Sequence, residues 1–538
     1  MIDTAMILDR RSVLKGGLAA TACAGVSPAC ARVSGSLSLL DFIPGEHHGA
    51  IRDGVSDFDC APALQRAIDN TAATKTRLVI PAGTYVLVPA TPIDDEEGRG
   101  ACLAAVVMRT GMHIHGEPGA ILRIRGGIST DRAPRSMGMF CTDRPIADVR
   151  FAGLTMDMNG RENPISPQRA SRLYSRYNQS HILVSGTRHG IAARIADATI
   201  EGCAFLNTAG VCCIVMAQSN VPGIQLGRGW RIMNNEFRGN GIDTDDHSSI
   251  YGWADDVVVT GNRFINTSFV GGEQRLAGNV GYEVHGSNHH LRSNLFSGYF
   301  RGIWIAPNYS TAVVGTRIIA NHFTGGCVGI DFFGEQSGVP QISDSIIESN
   351  SFSFADDPGI TDIDLKACVQ IASLAAQRNV TIAHNTSSST SRGVATALAV
   401  VTGGGIESRV HDAITIVDNQ TDGLTFGSFI RTSPNVGLGS ITSQRNRWVD
   451  LRPAGAFSIA VGDLVEHTGR LQTIADLALG GGSASGGAGG GSRANAVRIN
   501  AQVDRLDIAP ILARNLVRTY WEDAAAVVHQ RSGLAVQH

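Results

Sequence analysis

The feature that most constrains this chain is a repeat: a short apolar, largely β-branched run, then Asn, one residue, then an aromatic. It occurs at Asn235-Glu236-Phe237, Asn262-Arg263-Phe264, Asn294-Leu295-Phe296, Asn321-His322-Phe323 and Asn350-Ser351-Phe352. Successive phenylalanines stand 27, 32, 27 and 29 residues apart. Weaker copies follow around Asn385, Asn419 and Asn446, and an earlier one ends at Phe205. A unit of this size cannot bury its own apolar face, so units must stack and share a continuous core. Each repeat therefore reads as one coil of a solenoid, with its Phe pointing into the stack. Its Asn is expected to turn the chain through left-handed dihedrals and to bond a neighbouring backbone. An all-β sandwich is the rival architecture, but it gives no repeat this regular. The 63 glycines, many beside Asn, Asp or Ser, supply the frequent turns that short strands need.

The segment Phe42 to Leu87 is the most specific local sequence. His48-Gly49-Ala50-Ile51-Arg52-Asp53-Gly54 reads as a strand end and tight turn. Asp59 can N-cap a helix from Cys60, with Pro62 tolerated in its first turn. Leu64, Ala67, Ile68 and Thr71 then form one buried stripe at helical spacing. Leu78 to Leu87 reads as two short strands joined at Pro81-Ala82-Gly83. This combination resembles the N-terminal cap of the pectate-lyase-like superfamily, which includes phage tailspikes and relatives of polygalacturonases. The resemblance implies an all-β, single-stranded right-handed parallel β-helix whose open end is shielded by a capping helix. It covers the fold and not the chemistry; a polysaccharide or oligosaccharide as partner is the expectation from the acids, histidines and aromatics at 240–305.

Outside this region the sequence sets boundaries. Asp9-Arg10-Arg11-Ser12-Val13-Leu14-Lys15 resembles a twin-arginine export signal. The apolar stretch Gly16 to Val26 is too short to span a bilayer, and Ala29-Cys30-Ala31 offers a cleavage site. Periplasmic or extracellular residence, with no membrane attachment of the mature form, is the expectation. The net charge of −3 gives no reason to expect nucleic acid. The eight cysteines after the leader include no C-x-x-C pair, several sit in apolar runs, and no disulfide or zinc site is assigned. No segment has the spacing of a calcium loop, and no cofactor is expected. Gly480 to Ser492 is a low-complexity connector, Ala494 to Asp507 alternates weakly like a strand, and Ile508 to Val528 could include a helix. The chain thus divides into a leader at 1–31, a cap with the first coils at 32–125, a β-helix at 126–470, and a C-terminal segment at 471–538.

In a solenoid, residues at equal offsets from successive Phe markers stack into rows. Asp243-Thr244-Asp245-Asp246-His247 lies six to ten residues after Phe237, Glu273 nine after Phe264, Trp304 eight after Phe296, and Asp331 eight after Phe323. In a second row, Tyr251 and Glu283 each fall thirteen residues before their Phe, and Trp253 and His285 eleven before. Acids, histidines and aromatics therefore concentrate at 240–305. Alternation places Glu283 and His285 on one face, whereas His289 and His290 read as surface residues. The candidate catalytic set is Asp243, Asp245, Asp246, Glu283 and His285. His247, Tyr251, Trp253, Glu273, Arg275, Arg301 and Trp304 form the candidate substrate-binding set.

Two carboxylates in different environments can act as acid and as base or nucleophile at a glycosidic bond. Aromatic faces stack on sugar rings, and arginines such as Arg275 and Arg301 can hold a uronate or sulfate bidentately. Polygalacturonase-type hydrolases carry Asn-Thr-Asp, Asp-Asp, Gly-His-Gly and Arg-Ile-Lys on successive coils. Asp243-Thr244-Asp245 is similar to the first, Asp245-Asp246 to the second, Val284-His285-Gly286 to the third and Arg301-Gly302-Ile303 loosely to the fourth. The acidic pair overlaps the first motif instead of following it one coil later, and the last lacks its Lys. Three activities stay open: hydrolysis by a carboxylate pair, β-elimination with His285, Tyr282 or Arg301 as base, and glycan binding without cleavage.

Overall fold

In the computed structural model the described residues run from 35 to 537. They break at 94–101, 131, 134, 166–178, 189–190, 218–224, 243–246, 268–278, 308–311, 334–341, 357–364, 373–376, 404–409, 433–436, 450, 453, 456–459, 481–493, 508–510, 513–517, 523–526 and 533–535. The unit from Leu37 onwards is a right-handed parallel β-helix.

Three strands make one coil. In a central coil these are His247–Gly252, Val257–Thr260 and Arg263–Ile265. The next coil supplies Asn279–Val284, His289–Arg292 and Leu295–Ser297, and the one after it Arg301–Ile305, Arg317–Ile319 and His322–Thr324. Each strand pairs in parallel with its counterpart, so the coil has a first, a second and a third face.

The phenylalanines are the second residues of the third-face strands, so they point inward while their neighbours point out. Phe205, Phe237, Phe264, Phe296, Phe323 and Phe352 form one stack, with ring centroids 4.6–5.1 Å apart and planes within 9° of parallel. Opposite them, on the first face, stand Gly281, Gly302 and Gly329, where an added Cβ would collide with the rings of Phe296, Phe323 and Phe352.

The asparagines do something other than turn the chain. Positive φ falls one residue earlier, at Asn234, Ser293, Ala320, Ser349, His384, Asp418 and Arg445. The next residue, the repeat Asn, is then free to aim its side chain along the axis. Asn235, Asn262, Asn294, Asn321, Asn350, Asn385, Asn419 and Asn446 are all buried. Each Nδ2 donates to the Oδ1 of the next at 2.9–3.0 Å. The same Oδ1 accepts the previous Asn's backbone N–H, and each Nδ2 also donates to a backbone carbonyl. This ladder satisfies polar groups that a turn buried between coils would otherwise strand.

At the N-terminal end the helix is Ala61–Thr74, with Leu64, Ala67, Ile68 and Thr71 buried. Asp59 Oδ1 accepts from the Ala61 N–H at 3.0 Å and from the Val88 N–H at 3.1 Å, tying the helix start to the second strand of the cap. Gln65 donates to the Val107 carbonyl and accepts its N–H, so a helix side chain occupies the edge of the first exposed strand. The segment expected to be a strand end is instead a one-turn helix, His48–Arg52, because Ile51 packs directly onto Gly83, where a Cβ would meet the Ile51 backbone. All eight cysteines after residue 35 are free and buried.

The parallel ladder continues past residue 470. Ala460–Gly480 pairs with Ala494–Asp507, which pairs with Arg518–Glu522 and Val527–Ser532. Where a helix was expected after Ile508, the described residues are strands. The low-complexity stretch lies mostly outside the described residues.

Asn321 is the test of the ladder. Its amide bonds the Leu291 carbonyl, the Ile319 carbonyl and Asn350 Oδ1. Asn321→Ala should lower stability by about 3 kcal/mol, since it strands several buried partners at once. Gly302→Ala should also destabilise, by collision with Phe323. Denaturant unfolding followed by circular dichroism measures both.

Candidate functional site

The first-face strands direct one row away from the solenoid core, and its character changes along the axis. Val107, Cys141, Leu183 and Val215 begin it; Tyr251, Glu283, Trp304, Asp331 and Gln370 follow; Val400 and Phe429 continue it. Polar and aromatic residues thus fill five adjacent rungs, about 19 Å at the usual strand spacing, between two apolar stretches. The intervening residues Ile250, Tyr282, Ile303 and Ile330 are buried in the core and set the phase that turns the row outward.

Glu283 and His285 meet in the middle of this row. His285 Nε2 is 2.7 Å from Glu283 Oε2, and His285 Nδ1 is 2.7 Å from the Ala306 carbonyl. Ser248, on the preceding rung, donates to Glu283 Oε1. A carbonyl only accepts, so Nδ1 carries a hydrogen; a second proton must then lie between Nε2 and the carboxylate. The pair is therefore either imidazolium with carboxylate or imidazole with carboxylic acid, and both ring nitrogens of His285 are engaged. Glu283 is 5% exposed and His285 4% exposed. Gly286 lets the next turn close, since a Cβ there would run into the Ala254 carbonyl.

Aromatic rings surround the pair. The Tyr251 ring lies 4.5 Å from His285 and 6.2 Å from Trp253, and Trp304 lies 6.5 Å from His285 and 5.6 Å from Phe333. One rung on, Arg301 Nε contacts Asp331 Oδ2 at 2.6 Å. Its guanidinium sits 5.3–5.9 Å from the ring centres of Trp304, Phe300 and Phe333. Burial pushes the Asp331 carboxyl up from the ordinary carboxylate value, against the opposing pull of Arg301. Trp253 Nε1, Trp304 Nε1 and Asp331 Oδ1 are buried with no hydrogen-bond partner among the described residues.

Of the residues singled out in the sequence, Tyr251, Trp253, Glu283, His285, Arg301 and Trp304 come together here. Asp243, Asp245, Asp246, Glu273 and Arg275 lie outside the described residues. His247, read as a substrate contact, is not at the surface: its ring is enclosed, and Nδ1 donates to the Gly210 carbonyl at 3.0 Å. His289, read as a surface residue, is also buried, held by the Tyr282 hydroxyl at 2.9 Å and the Ala254 carbonyl at 2.7 Å. Tyr282 itself points inward, and burial pushes its hydroxyl up. Ser248 and the Ala306 carbonyl had no distinguishing sequence signal. Asp331 had one, its offset from Phe323, but the two rows read from the sequence are one row in space. Longer connections after Trp304 and Asp331 separate them further from their own Phe.

No family model matches the sequence, and no curated protein matches it. Among solved structures, a glutamate-to-glutamine variant of the tailspike protein of E. coli bacteriophage HK620, in complex with pentasaccharide, matches with a TM-score of 0.59 at 13% identity. The match covers 92% of this chain and 80% of that one. The same tailspike in complex with pentasaccharide gives a TM-score of 0.57 at 14% identity, with the same coverage. The fold is that of the tailspike β-helix. The surface protein and adhesin PfbA of Streptococcus pneumoniae matches with a TM-score of 0.47 at 16% identity, over 77% of this chain and 98% of that one.

The enclosed histidines have a consequence for stability. Burial lowers His181, His247, His289 and His411 from the ordinary 6.5 to about 4. Well above pH 6.5 all are neutral, folded or unfolded. As pH falls from there towards 4, the unfolded chain takes up protons that the folded chain cannot, so their contribution is progressively lost. Urea unfolding should show lower stability at pH ~4.5 than at pH ~7. The double variant His247→Gln/His289→Gln should narrow that difference.

Proposed function

We propose that this chain is an exported enzyme that cleaves glycosidic bonds of a polysaccharide on the first face of the β-helix. The observation that carries the reading is the Glu283–His285 pair, set among Tyr251, Trp253 and Trp304 on the outer face of a fold shared with a tailspike solved with a pentasaccharide. Glu283 is the proton-transferring carboxylate. Ser248 and His285 hold its two oxygens, and the Ala306 carbonyl fixes the His285 ring. The second carboxylate comes from Asp243, Asp245 and Asp246, which lead directly into the strand His247–Gly252 one rung before Glu283. Tyr251 and Trp304 offer ring faces for sugar stacking. Proton abstraction by His285, Tyr282 or Arg301, as a lyase would require, fits less well, Arg301 Nε being bound to Asp331 Oδ2. Both nitrogens of His285 are engaged, and Tyr282 faces the core.

Glycan binding without cleavage is the second reading, favoured by the near-complete enclosure of Glu283 and His285. Incubation with a panel of neutral and acidic polysaccharides separates the two. Cleavage should produce new reducing ends without the ultraviolet absorbance of an unsaturated uronate. Glu283→Gln, and at least one of Asp245→Asn and Asp246→Asn, should slow it by about 100-fold or more with the circular dichroism spectrum unchanged. Retention of a polysaccharide that is never cut would leave only the binding role. Export is tested separately: Arg10→Lys with Arg11→Lys should hold the precursor in the cytoplasm, and undiminished export would reject the twin-arginine assignment.

A further inference from the structure

We infer that the first-face site takes a neutral glycan, held through its hydroxyl groups, and discriminates against uronates and other carboxylated sugars. The inference rests on the reading of that face as a glycan site and specifies its substrate class.

Charge is the first argument. A carboxylated sugar is held best by an arginine whose Nε and Nη can both face it. Among the described residues of the polar stretch, the arginine is Arg301, and its Nε is already committed to Asp331 Oδ2 at 2.6 Å. The Arg301 side chain is 15% exposed and Asp331 is fully enclosed, so the pair is fixed within the wall of the face. Three rings crowd the guanidinium, leaving little of it for a ligand. Glu283 and Asp331 stand on the rungs on either side of Trp304, so the row itself carries two acidic side chains and no uncommitted arginine among the described residues.

Hydrogen-bond complementarity is the second argument and is independent of net charge. Of the residues that come together at this site, three carry a buried atom without a partner among the described residues: two donors, the indole N–H groups of Trp253 and Trp304, and one acceptor, Asp331 Oδ1. Buried polar groups normally find partners. A hydroxyl both donates and accepts, so a row of sugar hydroxyls can serve all three. A carboxylate only accepts and has nothing to offer Asp331 Oδ1.

The experiment measures retention and cleavage of dextran, galactan and galactomannan beside polygalacturonate and alginate, by affinity electrophoresis and reducing-end assay. Retention or cleavage confined to the neutral polymers is expected. Retention of polygalacturonate or alginate as strong as that of any neutral polymer overturns the neutral assignment and leaves the glycan site standing. If no polymer is retained or cut, both readings fall. Two variants test the residues named. Trp304→Phe keeps the ring but removes the N–H, and should weaken neutral-polymer retention about fivefold to tenfold; unchanged retention overturns the hydrogen-bond argument. Asp331→Asn releases Arg301, and should raise retention of polygalacturonate at least tenfold over wild type. No gain in a variant with a wild-type circular dichroism spectrum overturns the charge argument.

Discussion

Each repeat asparagine from 235 to 419 hands a hydrogen bond to the next, and this line of contacts fixes the height and phase of the coils it joins. The bonds stay between 2.9 and 3.0 Å although the residues they join are 27 to 35 positions apart in the chain. Backbone ladders alone would pair strands at the usual spacing but tolerate slippage where faces are uniform. A side-chain amide with one donor hydrogen committed along the axis and the other to a backbone carbonyl does not. The Phe stack and the glycines opposite it add shape to this register, and the cap helix begins it by filling the first open edge with Gln65.

The candidate site follows from that register. Tyr251, Glu283, Trp304 and Asp331 come from four coils and share no local sequence pattern, yet they occupy successive rungs of one row. Neighbouring rungs then supply what a lone carboxylate would lack. Ser248 and His285 occupy both oxygens of Glu283, while Arg301 is held by Asp331 and enclosed by rings. Ser248, Tyr251, Glu283, Arg301, Trp304 and Asp331 sit within strands, and Trp253 and His285 directly follow strand ends, so paired backbone positions the site's described groups.

The coil repeat was legible because two residue types with strict jobs, Asn and Phe, recur with little between them to obscure the pattern. The cap was legible because its helix stripe and its paired strands are both short-range signals. Less could be read where the deciding fact was phase. Alternation places Glu283 with His285, but it does not say which of Tyr282 and Glu283 faces the core, nor that His289 turns in to meet the Tyr282 hydroxyl. His247 looked like part of an acidic surface run because it follows Asp246 in sequence, while in space it is enclosed beside Gly241. The left-handed turn was displaced by one residue from the Asn expected to make it, since Asn234, Ala320 and Ser349 take the unusual dihedral and leave the amide of the next residue for the ladder. Asp331 was separated from Glu283 in the sequence because the connections after the first face lengthen towards the C-terminus, so distance to the Phe marker ceased to measure position.

That constancy of the asparagine bonds across unequal coils makes the architecture yielding in one respect and brittle in another. Residues added or removed between faces change only how far a connection bulges, and the rungs on either side keep their partners. A single residue added inside a strand would rotate every side chain downstream by one place, exchanging the core for the surface over the rest of that strand. Change in such a protein therefore has a preferred route: the rim of the first face can be rebuilt by lengthening connections, while the floor that carries Glu283 and its partners stays in place.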